Sequence, residues 1–248
     1  MLRIIKKDNG DILDKMVLMA GGHEIWLEPT KTIGKDVEIT LAYGHNMKSD
    51  GTPDPERLIP GVYITDGEKI NTVLKSKNEQ FTLCFRGEQP GYYVPVVDMA
   101  PVILTHTAEK NYQRGPKKEY KDAIYSGAFH QMAKTIIRLG ESENYKPEHF
   151  HGILDILPEE ALLTVGKAIN LTVLYEGKPL PDIDVKAVSK KEGTDMSVIK
   201  TDKNGVVTIP VMVDGAWMFL ARHKDPSRAV PDEYDETVFV TTLVMETA

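Results

Sequence analysis

Cysteine is almost missing from this chain, with Cys84 the single example in 248 residues. One thiol excludes an internal disulfide and any zinc or iron–sulfur site built on several cysteines. Cys84 alternates with Phe81, Leu83 and Phe85 in "FTLCFR", which marks a strand position rather than a reactive one. Long apolar runs are missing too: nothing approaches the ~18 to 20 residues that a membrane-spanning helix needs. Positive charge is in deficit, with 30 Lys and Arg against 37 Asp and Glu, a formal net charge of −7. That balance gives no basis for neutralising a phosphate backbone, so nucleic acid is not an expected partner. The opening "MLRIIKKDNGDILDKMVLMAGG" has basic residues, but Asp8, Asn9, Gly10, Asp11 and Asp14 interrupt what a signal peptide would keep apolar.

Catalytic signatures are equally scarce. The chain has no G-x-S-x-G elbow, no phosphate-binding G-x-x-x-x-G-K-[ST] loop and no G-x-G-x-x-G turn. His23-Glu24 starts like a zinc-protease H-E-x-x-H, but position 27 is Leu and the match fails. Ser126 has no local base beside it. The expectation is a protein that is not an enzyme. A metalloenzyme, with Glu24 as the base beside a metal ligand, is the least favoured of three readings.

What the sequence does have is period-two alternation. Strands are expected at 36–43, 61–65, 70–75, 80–86 and 91–97, separated by Gly, Pro and Asp clusters in "KSDGTPDPERLIPG" and "RGEQPG". Pro116 followed by Tyr120, Ile124 and Ala128 at four-residue spacing predicts a short helix over 116–131. The polar stretch "ESENYKPEHFHG", 141–152, reads as an exposed connection with a domain boundary just after it. Beyond Leu154 come some seven short strands joined by turn residues, the size and spacing of an immunoglobulin-like sandwich. Lys203-Asn204-Gly205 carries a hairpin signal. The expected fold is therefore all-β: two β-sandwich domains, 1–152 and 153–248, the second immunoglobulin-like, with one short helix in the first.

The chemistry expected here rests on histidine. His23 precedes a strand in "GGHEIWL", while His45, His106 and His223 end strands in "LAYGHNM", "VILTHTA" and "MFLARHKDP". Histidines at strand ends can converge at one end of a sandwich, where loops present functional groups. Neutral imidazoles suit Ni, Co, Zn or Cu, whereas oxygen-rich sets suit Ca or Mg. His149 and His151 share one face of an extended segment as a weak metal clip, although solvated loop residues are the simpler reading. His130 falls near the end of the expected helix, where the dipole alone accounts for it. Asp232, Asp235 and Glu236 in "PDEYDE" could collect a hard cation. A competing function is a non-catalytic module that recognises a glycan or protein surface through Trp26, Tyr92 and Tyr93.

The order "GHEIWLEP", a strand ending "YGH", "PVILTHTAEK", then "LDILP", "GKAINLTVLYEGKPLPDIDVKAV", "KTDKNGVVTIPV", "GAWMFLARHK" and "TTLVME" resembles the DUF4198 family. The resemblance runs from about Gly22 to the C-terminus. It implies a periplasmic or otherwise extracellular, membrane-facing protein of two β domains that handles Ni²⁺ or Co²⁺ for a membrane transporter, with Zn²⁺ or Cu²⁺ as further cations. Residue by residue, it implies His23, His45 and His106 as ligands, joined by His223 at the end of the strand that contains Gly215-Ala216-Trp217.

Overall fold

A computed structural model of the chain describes residues 23–64, 67–142, 145–149 and 151–248, with backbone alone at 30 and 194–196. The N-terminal segment read above for a signal peptide lies outside the described residues. The first half contributes strands Glu24–Ile33 (β1), Asp36–His45 (β2), Lys48–Ser49 (β3), Leu58–Ile64 (β4), Lys69–Ile70 (β5), Thr72–Lys77 (β6), Gln80–Arg86 (β7), Gly91–Thr107 (β8), Tyr112–Arg114 (β9), Ala123–Thr135 (β10) and Ile137–Leu139 (β11). The second contributes Leu154–Pro158 (β12), Ala168–Tyr175 (β13), Lys178–Pro179 (β14), Asp184–Ser189 (β15), Thr194–Lys200 (β16), Val206–Pro210 (β17), Ala216–Asp225 (β18) and Glu236–Glu246 (β19). The all-β expectation holds.

Three sheets organise these strands. One runs β1-β2-β7-β6 with β3 on β2; another runs β12-β13-β14 with β17 on β13. The third has ten strands and crosses both halves, β16-β15-β18-β19-β10-β8-β4-β5, with β9 and β11 also on β8. Its seam is the parallel pairing of β10 with β19, from Gly127 opposite Glu236 to Thr135 opposite Val244. Paired residues in such a ladder share a face. Ala133 and Thr242 therefore look to one side, and Lys134 and Leu243 to the other.

Each side carries a core. Ile25, Leu27, Ile39, Leu83, Val97 and Ala133 belong to the first, between the β1-β2-β7-β6 sheet and the shared sheet. Ile156, Leu171, Ile209, Trp217, Phe219 and Leu243 belong to the second, between the β13 sheet and the opposite face. Residues before and after 152 thus feed different cores while sharing one sheet. Trp26 joins neither core; it packs with Val188, Met218 and Val244 in a smaller cluster that ties β1 to the second half.

Two local expectations are corrected. No helix forms over 116–131: Pro116 leads into a single 3-10 turn, Lys117–Glu119, and the chain then enters β10. A four-residue spacing is even, so Tyr120, Ile124 and Ala128 satisfy one face of a strand as well as one face of a helix. Gly127 disfavours a helix by about 1 kcal/mol, and Tyr125 and Phe129 suit a sheet. Likewise, Lys203-Asn204-Gly205 closes no hairpin, because β16 pairs with β15 while β17 pairs with β13. The Asp202 carboxylate accepts from the backbone N–H of Asn204 (2.8 Å) and Val206 (2.9 Å), and the turn carries the chain from one sheet to another.

Leu171 is fully buried in the second core. Leu171→Ala should cost about 2–5 kcal/mol. Because the sheet is continuous, hydrogen exchange in denaturant should then rise in 24–64 as well as in 154–210; a loss confined to 154–210 would show independent domains.

Candidate metal centre

The register of β1 on β2, with Glu24 opposite Gly44, brings His23 beside the end of β2, where His45 stands. The chain reverses at Asn46 and Met47, whose φ angles of 51° and 60° are those of a two-residue type I′ hairpin. Lys48 pairs back on His45 and Ser49 on Gly44. The Asp50 N–H donates to the Tyr43 carbonyl at 3.2 Å, returning Asp50 to the start of β1. Gly44 allows this: a Cβ there would lie 2.1 Å from the Lys48 carbonyl oxygen.

The result is a cluster of three ligand-type side chains. Atoms of His23, His45 and Asp50 all lie within 4.8 Å of one another, the one such group among the described residues. His23 Nε2 stands 2.8 Å from Asp50 Oδ1. The His23 ring stacks on both Tyr43 and His45, each centroid 4.6 Å away. Exposure of the three side chains, 35%, 47% and 51%, leaves their outer side open to solvent and so to further ligands. A cleft of about 490 Å³ lies against the same hairpin, lined by Trp26, Glu28, Met47, Ser49, Gly51 and Lys190 among others, and by none of the three ligands.

Behind the cluster sits Glu24, only 5% exposed. Its Oε1 accepts from the Asn46 N–H at 2.9 Å, and its Oε2 is 3.7 Å from His45 Nδ1. Burial pushes the Arg222 guanidinium below its usual pKa, and the Glu24 charge opposes that fall. Lys186 donates to Asn46 Oδ1 at 2.6 Å, adding a second cation from the same sheet. Burial raises the Tyr43 phenol, Arg57 opposes the rise and Asp50 adds to it, so Tyr43 stays protonated beside the cluster.

The shared sheet fixes where the cluster stands. Gln131 of β10 donates to the His23 carbonyl (2.8 Å) and accepts from the Ile25 N–H (3.1 Å). Thr242 of β19 donates to the Ile25 carbonyl at 2.7 Å.

The other expected ligands lie outside this group. His106 leans on Tyr112, ring centroids 5.2 Å apart. His223 leans on Tyr175 at 4.4 Å, where burial lowers its pKa against the opposing pull of Asp225. Asp235 pairs with Lys117 at 2.6 Å, and Glu236 accepts from Tyr125 at 2.6 Å. Trp26, Tyr92 and Tyr93 are buried, which removes them as an exposed glycan platform.

Sequence reading named Glu24 beside a metal ligand but missed Asp50. Asp50 follows His45 by five residues and becomes a neighbour only through the hairpin; Asn46 in "GHNMKSD" was its signal. It also set aside His130, His149 and His151, and all three contact buried or half-buried acids. The Asp98 carboxylate accepts from Nε2 of His130 (2.5 Å) and of His151 (3.2 Å). Asp155, 1% exposed, holds Lys134 and also His149 Nδ1 at 2.9 Å. Burial works to raise both carboxyl pKa values. For Asp98 the hydrogen bonds from the two imidazoles overcome it; for Asp155 the Lys134 charge does so, helped by His149.

Both acids are therefore held below the ordinary carboxylate range in the folded chain. Stability from that source is fully present above the unfolded value, about pH 3.9, and is lost as pH falls through the folded values. An acid titration followed by circular dichroism should show unfolding below about pH 4, and a shallower slope in Asp98→Asn. Asp155→Asn strands a buried ammonium and should cost about 3–5 kcal/mol at pH 7 in urea denaturation.

Comparison with known proteins adds the family. No curated protein matches the chain. Among solved structures it is similar to the D0-D1 domain of intimin, with 14% identity, 90% of this chain and 98% of that one covered, and a TM-score of 0.23. It is also similar to the BSP domain of a biofilm associated protein (9% identity, 91% and 29% covered, TM-score 0.24). A third likeness is to alpha-2-macroglobulin from Escherichia coli spanning domains MG0-NIE-MG1 (9% identity, 92% and 97% covered, TM-score 0.24). The sequence profile described as "Domain of unknown function (DUF4198)" matches residues 20–225, spanning the hairpin and most of both cores, and the chain belongs to that family.

Proposed function

We propose that the protein captures a divalent transition-metal cation, Ni²⁺ or Co²⁺, at His23, His45 and Asp50 and passes it to a membrane transporter from outside the cytoplasm. One observation carries the proposal: His23 at the start of β1 meets His45 and Asp50 of the β2–β3 turn, two imidazoles and a carboxylate within 4.8 Å of one another. Two ligands on opposite sides of a cation stand about 4.2 Å apart at bonds of ~2.1 Å, so small side-chain rotations close the site. Two imidazoles with one carboxylate suit Ni, Co, Zn and Cu; a hard cation would call for more oxygens. The choice of Ni²⁺ or Co²⁺, the transporter and the location follow from the resemblance to the DUF4198 family. Among the described residues, no helix is long and apolar enough to cross a membrane.

Each residue has a physical task in this reading. His23 and His45 supply nitrogen donors as neutral rings, and Asp50 supplies a charged oxygen. Glu24 lies close enough to His45 to orient its ring or to turn toward the cation. Ligands about half exposed suit cargo that must be released as well as held.

Calorimetric titration of chelator-stripped protein with NiCl₂ and CoCl₂ tests the proposal. His45→Ala and Asp50→Asn should weaken binding by more than the roughly 10–100-fold that loss of an outer partner costs; Glu24→Gln should fall within that range. His106→Ala and His223→Ala should leave the affinity unchanged. Full affinity in His23→Ala, His45→Ala and Asp50→Asn alike would refute the site.

A further inference from the structure

A second convergence of imidazoles on a carboxylate lies on the opposite face of the shared sheet. Asp98 projects from β8, His130 from the neighbouring β10, and His151 from the connection that follows β11. Both rings direct the same atom, Nε2, at a different oxygen of one carboxylate. One hydrogen bond would satisfy each oxygen wherever it came from; two imidazoles turned the same way on one acid make a donor set of two nitrogens and an oxygen.

Three further features organise this set. The ladder of β8 on β10 slips between Phe129 and Gln131, so His130 sits at an irregularity that re-aims its side chain. Arg57 pins that irregularity by donating from Nε to the Ala100 carbonyl at 2.7 Å. On the far side of the His151 ring, the Tyr63 hydroxyl stands 3.3 Å from Nδ1, the position an outer partner takes when it orients a ligating histidine. A hydroxyl can donate or accept, so it serves either tautomer of the ring. The three side chains are shielded but reachable, with 14% of His130, 16% of Asp98 and 33% of His151 exposed.

We propose that Asp98, His130 and His151 form a second binding site for a divalent transition-metal ion such as Co²⁺, Ni²⁺ or Zn²⁺, which fastens the chain at His151 to the sheet. The set is looser than the one at His23, and closing it requires His151 to approach His130. That movement falls on a connection outside the ladders, not on a strand. Binding takes the lone pair of each Nε2, so the hydrogen a neutral ring carries there moves to Nδ1, where the Tyr63 hydroxyl can accept it from His151. The proposal is independent of the His23 cluster, which faces the other side of the sheet.

The test is a CoCl₂ titration of chelator-stripped His45→Ala protein, read by calorimetry and by amide hydrogen exchange over 151–153. One equivalent of Co²⁺ should remain, and loading should slow exchange in that segment. Adding His130→Gln or His151→Gln should abolish both effects; His151 is in the connection, so its replacement leaves the sheet intact. Retained binding in both double variants, or no binding by His45→Ala at all, would overturn the second site. Absence of the His45-dependent equivalent in the parent would refute the hairpin site and leave this one standing.

Discussion

The parallel pairing of β10 with β19 is the interaction on which the rest of the molecule depends. It joins a strand from the first half to the last strand of the chain, and nearly the whole second half is the crossover between them. Neither core would keep its shape without it, since Ala133 belongs to one and Leu243 to the other. The same seam sets the start of β1: Gln131 grips the backbone on both sides of Glu24, at the His23 carbonyl and the Ile25 N–H, and Thr242 grips the Ile25 carbonyl. These contacts link residues more than a hundred positions apart. A short hairpin therefore presents its ligands from a rigid mount, and binding does not have to fix its position first.

Charge follows the same plan. Glu24 and Asp50 bring negative charge to the hairpin, and the second half answers with Arg222 and Lys186 behind it. The cations lie on the inner side and the open ligands on the outer side, which leaves the solvent-facing edge favourable for a cation. On the other face, Asp98 and Asp155 draw the connection between the halves down onto β8 and β10 through His151 and His149. Lys134 and Asp155, both buried, complete that face with an ion pair joining β10 to β12.

Most strands were legible because their alternation was local. Gln80–Arg86 appears with the bounds its pattern gave, and Asp36–His45 extends the expected run by two residues. The segment that became β10 was misread because its four-residue spacing fits both periodicities, and only partners on β8 and β19 decide between them. Pairing between the halves left no mark at all, since a buried parallel strand announces its hydrophobicity but not its neighbour. Half of the histidine set was legible in the same sense: His23 and His45 are register neighbours in an antiparallel pair, which strand ends suggested. Asp50 was not, because Asn-Met is a less familiar type I′ turn than Asn-Gly. His130 and His151 were set aside as a helix end and a solvated loop, and both environments proved different.

The central claim is that His23 and the β2–β3 hairpin together hold a transition-metal cation. The direct measurement is an anomalous difference map at the nickel absorption edge, from crystals of the chain grown with Ni²⁺. The account expects a peak bonded to His23, His45 and Asp50 at ~2.0 to 2.2 Å. A map in which nickel appears elsewhere, with those three side chains unligated, would contradict it.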